Sequence, residues 1–187
     1  MIVSVIDASP RSRWQLAYQV TLLFPDPNYT MADIVDVRTR SRMMSGIKGK
    51  NTKPEVVIRQ RLHARGYRFR LHRKDLPGSP DIVLPKYQAV VMVNGCFWHG
   101  HQCRLFKWPK TRPDFWRTKI EGNIHRDRKK MSELQRLSWR VCVLWECEIK
   151  GAGEERLNKV IESIAEWLIG GDSYLFIPHG RTQAIHD

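Results

Sequence analysis

The sequence predicts an α/β domain, with a mixed central β-sheet flanked by helices, on three observations. A Pro80-Asp81 pair opens a short apolar run, and Gln88 to Asn94 reads as its hairpin partner. Residues 139–145 form a further apolar run of the buried-strand type. Around these, residues 113–137 and 154–169 carry apolar side chains at helical spacing, and the resulting order of elements is that of an α/β layer architecture.

A single domain is expected, because 187 residues suffice for one good core. Its bounds fall at 31–170. Residues 1–30 read as a poorly ordered extension, where Pro10, Pro25 and Pro27 interrupt small apolar pieces, and 171–187 as a tail of little pattern. From Arg38 to Lys53, basic residues surround Met43-Met44, which suits a short helix or arm along phosphates or, on charge alone, a solvated face. Thr52-Lys-Pro-Glu55 has capping-box spacing, and Gly66 ends the next helix, from about Lys53 to Arg65. Tyr67, Phe69 and Leu71 then alternate with basic residues, the pattern of a half-buried strand. The long helix from Pro113 to about Leu137 places Trp116, Ile120, Ile124, Met131 and Leu134 on one stripe, with Asp127 in the same row. A carboxylate on a core-facing stripe requires a partner, since a buried charge left unpaired costs about 3–5 kcal/mol.

Lys plus Arg outnumber Asp plus Glu by 32 to 19, and the net charge of +13 points to a polyanionic partner rather than a small neutral substrate. Solubility charge is the alternative. No apolar run approaches the roughly 20 residues of a membrane span, and residues 1–30 lack a secretory pattern, so a cytoplasmic location is expected. In that reducing setting, four cysteines mean metal ligands or free thiols before disulfides. Cys142, inside the apolar run Val141 to Leu144, reads as core packing.

The chemistry concentrates between Leu76 and Cys103. Cys96, His101 and Cys103 offer three ligands on one tight loop, and Cys147, just past a later strand, offers a fourth. A Cys3His set is a closed tetrahedral geometry, so zinc there would be structural; unlinked thiols near a histidine are the alternative. Phe97 and Trp98 within the loop are either exposed stacking groups or its local core. Asp81 is a hard oxygen ligand of the kind Mg2+ prefers. His99 is a candidate general base, with Asp127 to orient its ring, unless it replaces His101 on zinc. Glu55 has a capping role open to it whether or not it serves catalysis.

Taken together, Pro80-Asp81, Asn94-Gly-Cys-Phe-Trp-His99, Pro109-x-Thr-Arg112, Phe115-Trp116, Asn123-x-x-Arg126-Asp127, Trp139-Arg-Val141 and Trp145-Glu-Cys147 resemble the very-short-patch-repair (Vsr) DNA mismatch endonucleases, a branch of the restriction-endonuclease-like fold. The resemblance runs from about Arg38 to Trp167. It implies a nick in one strand of duplex DNA, 5′ of the thymine of a T:G mismatch left by deamination of 5-methylcytosine. By the same resemblance Asp81 and the backbone carbonyl of Val93 hold Mg2+, His99 is the base, Asp127 orients it, and Glu55 contributes through a water on the ion. Cys96, His101, Cys103 and Cys147 match the structural Zn2+ set, and Met44, Phe97, Trp98, Trp116 and Lys119 match DNA-binding positions. The implied partners are T:G-mismatched double-stranded DNA and general mismatch-repair factors, for a monomer acting at the bacterial nucleoid.

The chain departs from the family's best-known members at Asn94, where they carry a second histidine, and at Val93, where they carry threonine. Asn94 takes no proton at neutral pH, which places more of the catalysis on His99. Two other readings fit parts of the pattern, a restriction-like nuclease on undamaged DNA and a catalytically weak, zinc-stabilised DNA-binding protein.

Overall fold

The computed structural model describes residues 36–46 and 49–177; the expected extension at 1–30 and the end of the expected tail lie outside the described residues. The first helix, α1 (Val37–Ser45), falls in the basic stretch. Asp36 caps it, its carboxylate accepting the Arg38 and Thr39 amides at 2.8 and 2.9 Å. Met44 belongs to α1, but its side chain lies outside the described residues.

Helix α2 (Lys53–Ala64) starts at the anticipated Thr52 cap, with Pro54 in its first turn. Glu55 reaches back to the Thr52 amide at 3.3 Å and the Asn51 amide at 3.0 Å, which satisfies donors that the first helical turn would leave orphaned.

Four strands form one sheet in the order β1 (Ile82–Leu84), β2 (Ala89–Asn94), β3 (Arg140–Trp145) and β4 (Tyr174–Ile177). The β1–β2 hairpin is antiparallel, with Ile82 opposite Val91, and closes through a 3-10 turn at Pro85–Tyr87. β3 and β4 then add in parallel, with Val91 opposite Cys142 and Cys142 opposite Leu175. Such a sheet is mixed, as expected.

Both faces of the sheet are covered, which is why β2 and β3 read as continuous apolar runs rather than alternating ones. Ile82, Leu84, Val91, Cys142 and Leu144 join one core with Ile58 and Leu62 of α2 and with α5 (Glu154–Ile169). The alternate residues Val83, Val90, Val141 and Val143 point to the other face and are equally buried. That face is covered by α3 (Pro113–Arg136), which packs on β3 and buries Ile120, Met131 and Leu134. The short α4 (Glu146–Ile149) follows β3 directly and carries Cys147. Among the described residues, no helix is long and apolar enough to cross a membrane.

Two sequence expectations need correction. Residues 67–71 do not form a strand: Arg70 and Val83 exchange both backbone hydrogen bonds at 2.8 Å as an isolated bridge, and the backbone turns left-handed at His72 (φ 47°). That turn ends the extended run before a second pair can form. Conversely, residues 174–177 of the stretch expected as a tail at 171–187 form the fourth strand of the sheet. β4 is four residues long with only Ile177 buried, too short to show a period; main-chain pairing to β3 defines it. Arg140 reinforces that edge by donating to the carbonyls of Trp167, Leu168 and Asp172, joining the end of α5 to the sheet.

Candidate active site

Asp81 lies immediately before β1, where the hairpin register sets it beside the end of β2. Its Oδ2 accepts the Val93 amide at 2.8 Å, and Asp81, Val93, Asn94, His99, Asp127 and Glu55 line one cleft. Burial, opposed by the Val93 hydrogen bond and increased by the Glu55 charge, pushes the Asp81 carboxyl up to about 6. A half-buried carboxylate that gains one hydrogen bond among the described residues is poorly compensated, and a divalent cation is the ligand that would reverse that penalty. The chemistry of this donor fits Mg2+.

Glu55 is almost fully buried, and its capping role is real. Its Oε2 also receives Arg59 Nη2 at 2.6 Å, an i,i+4 pair on α2. Arg59 in turn donates to Asn51 Oδ1 at 2.5 Å and contacts His72 Nε2 at 3.0 Å. His72 thereby stands between Glu55 and Asp81, and ligand atoms of all three lie within 4.8 Å of one another. Burial, followed by the Arg59 charge, lowers the His72 pKa below the usual imidazole range. Sequence reasoning missed this residue, because nothing in its spacing from Asp81 marks it.

His99 occupies the loop after β2 and donates from Nδ1 to Asp127 Oδ2. Asp127 is thus the partnered carboxylate that its place on the buried stripe of α3 demanded, and Lys130 Nζ, 3.3 Å from Oδ1, takes its other oxygen. Gly100 makes this approach possible. It has φ 64°, and a Cβ there would lie 3.0 Å from side-chain carbons of both Ile120 and Ile124, so only glycine lets the loop lie this close to α3. Asn123 Nδ2 fixes the same loop by donating to the Trp98 carbonyl at 2.7 Å.

On the other side of Gly100, His101 joins Cys96, Cys103 and Cys147, and the ligand atoms of all four lie within 4.8 Å of one another. Cys147 Sγ is 3.6 Å from His101 Nδ1. Bonds of about 2.3 Å to sulfur and 2.0–2.1 Å to nitrogen put tetrahedral neighbours about 3.6 Å apart, so the donor set fits zinc. Burial raises the thiol of Cys147 to about 11 and that of Cys96 further, the electrostatic position of clustered thiols that a bound cation would convert to thiolates. Trp145 stacks on His101 with centroids 4.2 Å apart and an interplanar angle of 9°, which orients the ring.

Beside the cleft the aromatics form one cluster. Phe97 meets Trp98 and Trp116 edge-on, each at 5.2 Å, and Trp98 lies 6.1 Å from Trp116. All three are half-buried, so Trp116 does not occupy the core position its helical spacing predicted: it lies near the start of α3, beyond the sheet-facing stripe. Trp98 also lines the cleft, along with exposed Lys119 and Arg126.

The chain matches the family model described as DNA mismatch endonuclease Vsr over residues 32–105. It is 49% identical over 134 residues to the type II nicking enzyme V.XorIIP of Xanthomonas oryzae, covering 71% of this chain and 98% of that protein. It is 41% identical over 156 residues to the DNA mismatch endonuclease Vsr of Escherichia coli, covering 83% and 98% respectively. With the type II nicking enzyme V.NmeAIP of Neisseria meningitidis the identity is 44% over 138 residues, 73% of this chain and 99% of the relative. Similarity of this degree across nearly the whole length of three relatives places the chain in the Vsr family of DNA mismatch endonucleases.

Proposed function

We propose that the chain nicks one strand of duplex DNA on the 5′ side of the thymine in a T:G mismatch, with Mg2+ held by Asp81 and the Val93 carbonyl, and so starts very short patch repair of deaminated 5-methylcytosine. The observation that carries this reading is the convergence in one cleft of Asp81, the His99–Asp127 pair and the aromatic face of Trp98. Mg2+ held by Asp81 and the Val93 carbonyl would supply Lewis-acid polarisation of the phosphate and charge neutralisation.

His99 is the base. Its Nδ1 hydrogen is committed to Asp127, which leaves Nε2 as the nitrogen able to take a proton from the attacking water. Attack on phosphorus breaks the bond to the 3′ oxygen, which departs with the bonding pair and takes a proton from solvent, leaving 3′-hydroxyl and 5′-phosphate ends. Glu55, held by Arg59 and the α2 cap, contributes negative charge beside Asp81. Zn2+ bound by Cys96, His101, Cys103 and Cys147 would brace the loop that carries Phe97, Trp98 and His99. Phe97, Trp98 and Trp116 then enter the stack beside the mismatch, Met44 approaches from α1, and Lys119 contributes charge for the backbone.

A nicking assay on matched and T:G duplexes of one sequence, with mapped cut positions, tests the proposal. A single cut 5′ of the mismatched thymine supports it. Equal cleavage of both duplexes points to a restriction-like nuclease, and binding without any nick in Mg2+ to a DNA-binding protein.

A further inference from the structure

We infer that His72 is a nitrogen ligand of the cation held at Asp81, so that this chain's site favours a first-row transition ion such as Mn2+ over Mg2+. This rests on the reading above that Asp81 holds the ion. His72 Nδ1 lies 3.8 Å from Asp81 Oδ1, and Nε2 lies 3.9 Å from Glu55 Oε2. Neither separation is a hydrogen bond. With bonds of about 2.1 Å, cis ligands of an octahedral ion lie about 3.0 Å apart, so the Asp81–His72 pair at 3.8 Å needs a closing movement of less than about 1 Å to share an ion as cis ligands.

Three separate elements deliver these groups: α2 brings Glu55, the start of β1 brings Asp81, and the left-handed residue beyond the Arg70–Val83 bridge is His72 itself. The His72 amide donates to the Pro80 carbonyl at 3.1 Å, fixing the backbone of one ligand against the residue preceding the other. Its side chain is only 15% exposed, so the ring has little freedom to turn away into solvent.

Arg59 is the competing contact. It approaches Nε2, and with Nδ1 on a cation Nε2 must carry the ring proton, which makes that contact unfavourable. Arg59 keeps Glu55 and Asn51 as acceptors if it releases the ring, and Glu55 Oε2 is then the nearby oxygen for the Nε2 proton. The result is a carboxylate–imidazole–metal arrangement, in which Glu55 positions His72. Arg59 meanwhile offsets part of the Glu55 charge, so the groups that would face the cation directly are the Asp81 carboxylate and a neutral nitrogen. Mg2+ takes oxygen ligands almost exclusively, whereas affinity for nitrogen rises along the first transition row.

The test uses the full chain carrying its zinc and titrates Mn2+ and Mg2+ separately, with pulsed electron paramagnetic resonance on bound Mn2+. The wild-type spectrum should show nitrogen coupling from a directly bound imidazole. His72→Asn, a residue that tolerates the left-handed backbone, should remove that coupling and weaken Mn2+ binding about tenfold or more, with Mg2+ affinity changed less than about twofold. His72→Gln provides the same comparison should the Asn variant fold poorly, and His99→Gln should retain the coupling. Coupling that persists in both His72 variants, or an unchanged ratio of Mn2+ to Mg2+ affinity, overturns the inference. Asp81→Asn should weaken both ions together; if it changes neither affinity, the cation is not at Asp81, and the metal site of the proposed function falls with it.

Discussion

Asp127 and His99 are 28 residues apart in sequence, and the carboxylate of one, buried on the sheet-facing side of α3, accepts the Nδ1 hydrogen of the other. This single contact orients an imidazole toward a cleft that also holds Asp81. Asp127→Asn presents an amide donor to Nδ1 and favours the tautomer whose Nε2 already carries a proton. Single-turnover nicking should then fall by about a hundredfold or more, while affinity for a T:G duplex stays within about twofold. An unchanged rate would remove the pair from the mechanism.

Asp81 makes stability depend on pH in an unusual direction. Its carboxyl is displaced upward from an ordinary 3.8 to about 6, so between those values the folded protein holds more protons than the unfolded chain and loses stability as pH rises. Above about pH 6 the penalty is complete, with a ceiling of about 3 kcal/mol. Asp81→Asn, which can still accept the Val93 amide, should therefore stabilise zinc-loaded protein in Mg2+-free buffer by about 1–3 kcal/mol at pH 7.5 and by little at pH 4. Urea denaturation at the two pH values measures this, and a destabilised variant at pH 7.5 would refute it. Divalent-cation affinity of the wild type should strengthen as pH rises to about 6 and then level off.

Cys147 couples α4 to the loop that carries His99. Cys147→Ser should lower zinc content and reduce the melting temperature by about 10 °C, with loss of both mismatch binding and nicking, since Phe97, Trp98 and His99 sit on the loop that a metal on the four donors would tie down. Metal analysis alongside thermal unfolding checks it; a fully stable and active zinc-free variant would show that the four donors do not depend on a metal.

Trp98 presents its ring to the cleft while its carbonyl is held by Asn123, so truncation of the ring leaves the loop anchored. Trp98→Ala should lose about 5- to 100-fold in affinity for a T:G duplex, the value of one stacking contact, and less than about threefold for the matched duplex. Equal losses on both would assign Trp98 to general backbone binding or to packing within the aromatic cluster.

Much of this arrangement was legible from residue order because it depends on local rules. The Thr52–Glu55 cap, the extent of α5 and the hairpin at Asp81 follow from capping chemistry and periodicity, and a carboxylate in the apolar stripe of α3 announced that Asp127 needed a partner. The cysteine and histidine spacing likewise named the four donors that converge. Two features depended on the assembled chain. β4 has no pattern of its own beyond four residues and exists because β3 offers an open edge for main-chain hydrogen bonds. His72 gains its place between Glu55 and Asp81 from a left-handed turn, a single backbone bridge and the packing of α2 beneath the hairpin. Periodicity records which face of an element is buried, whereas the meeting of three side chains from three elements is set by the angles at which those elements pack, and no spacing along the chain encodes them.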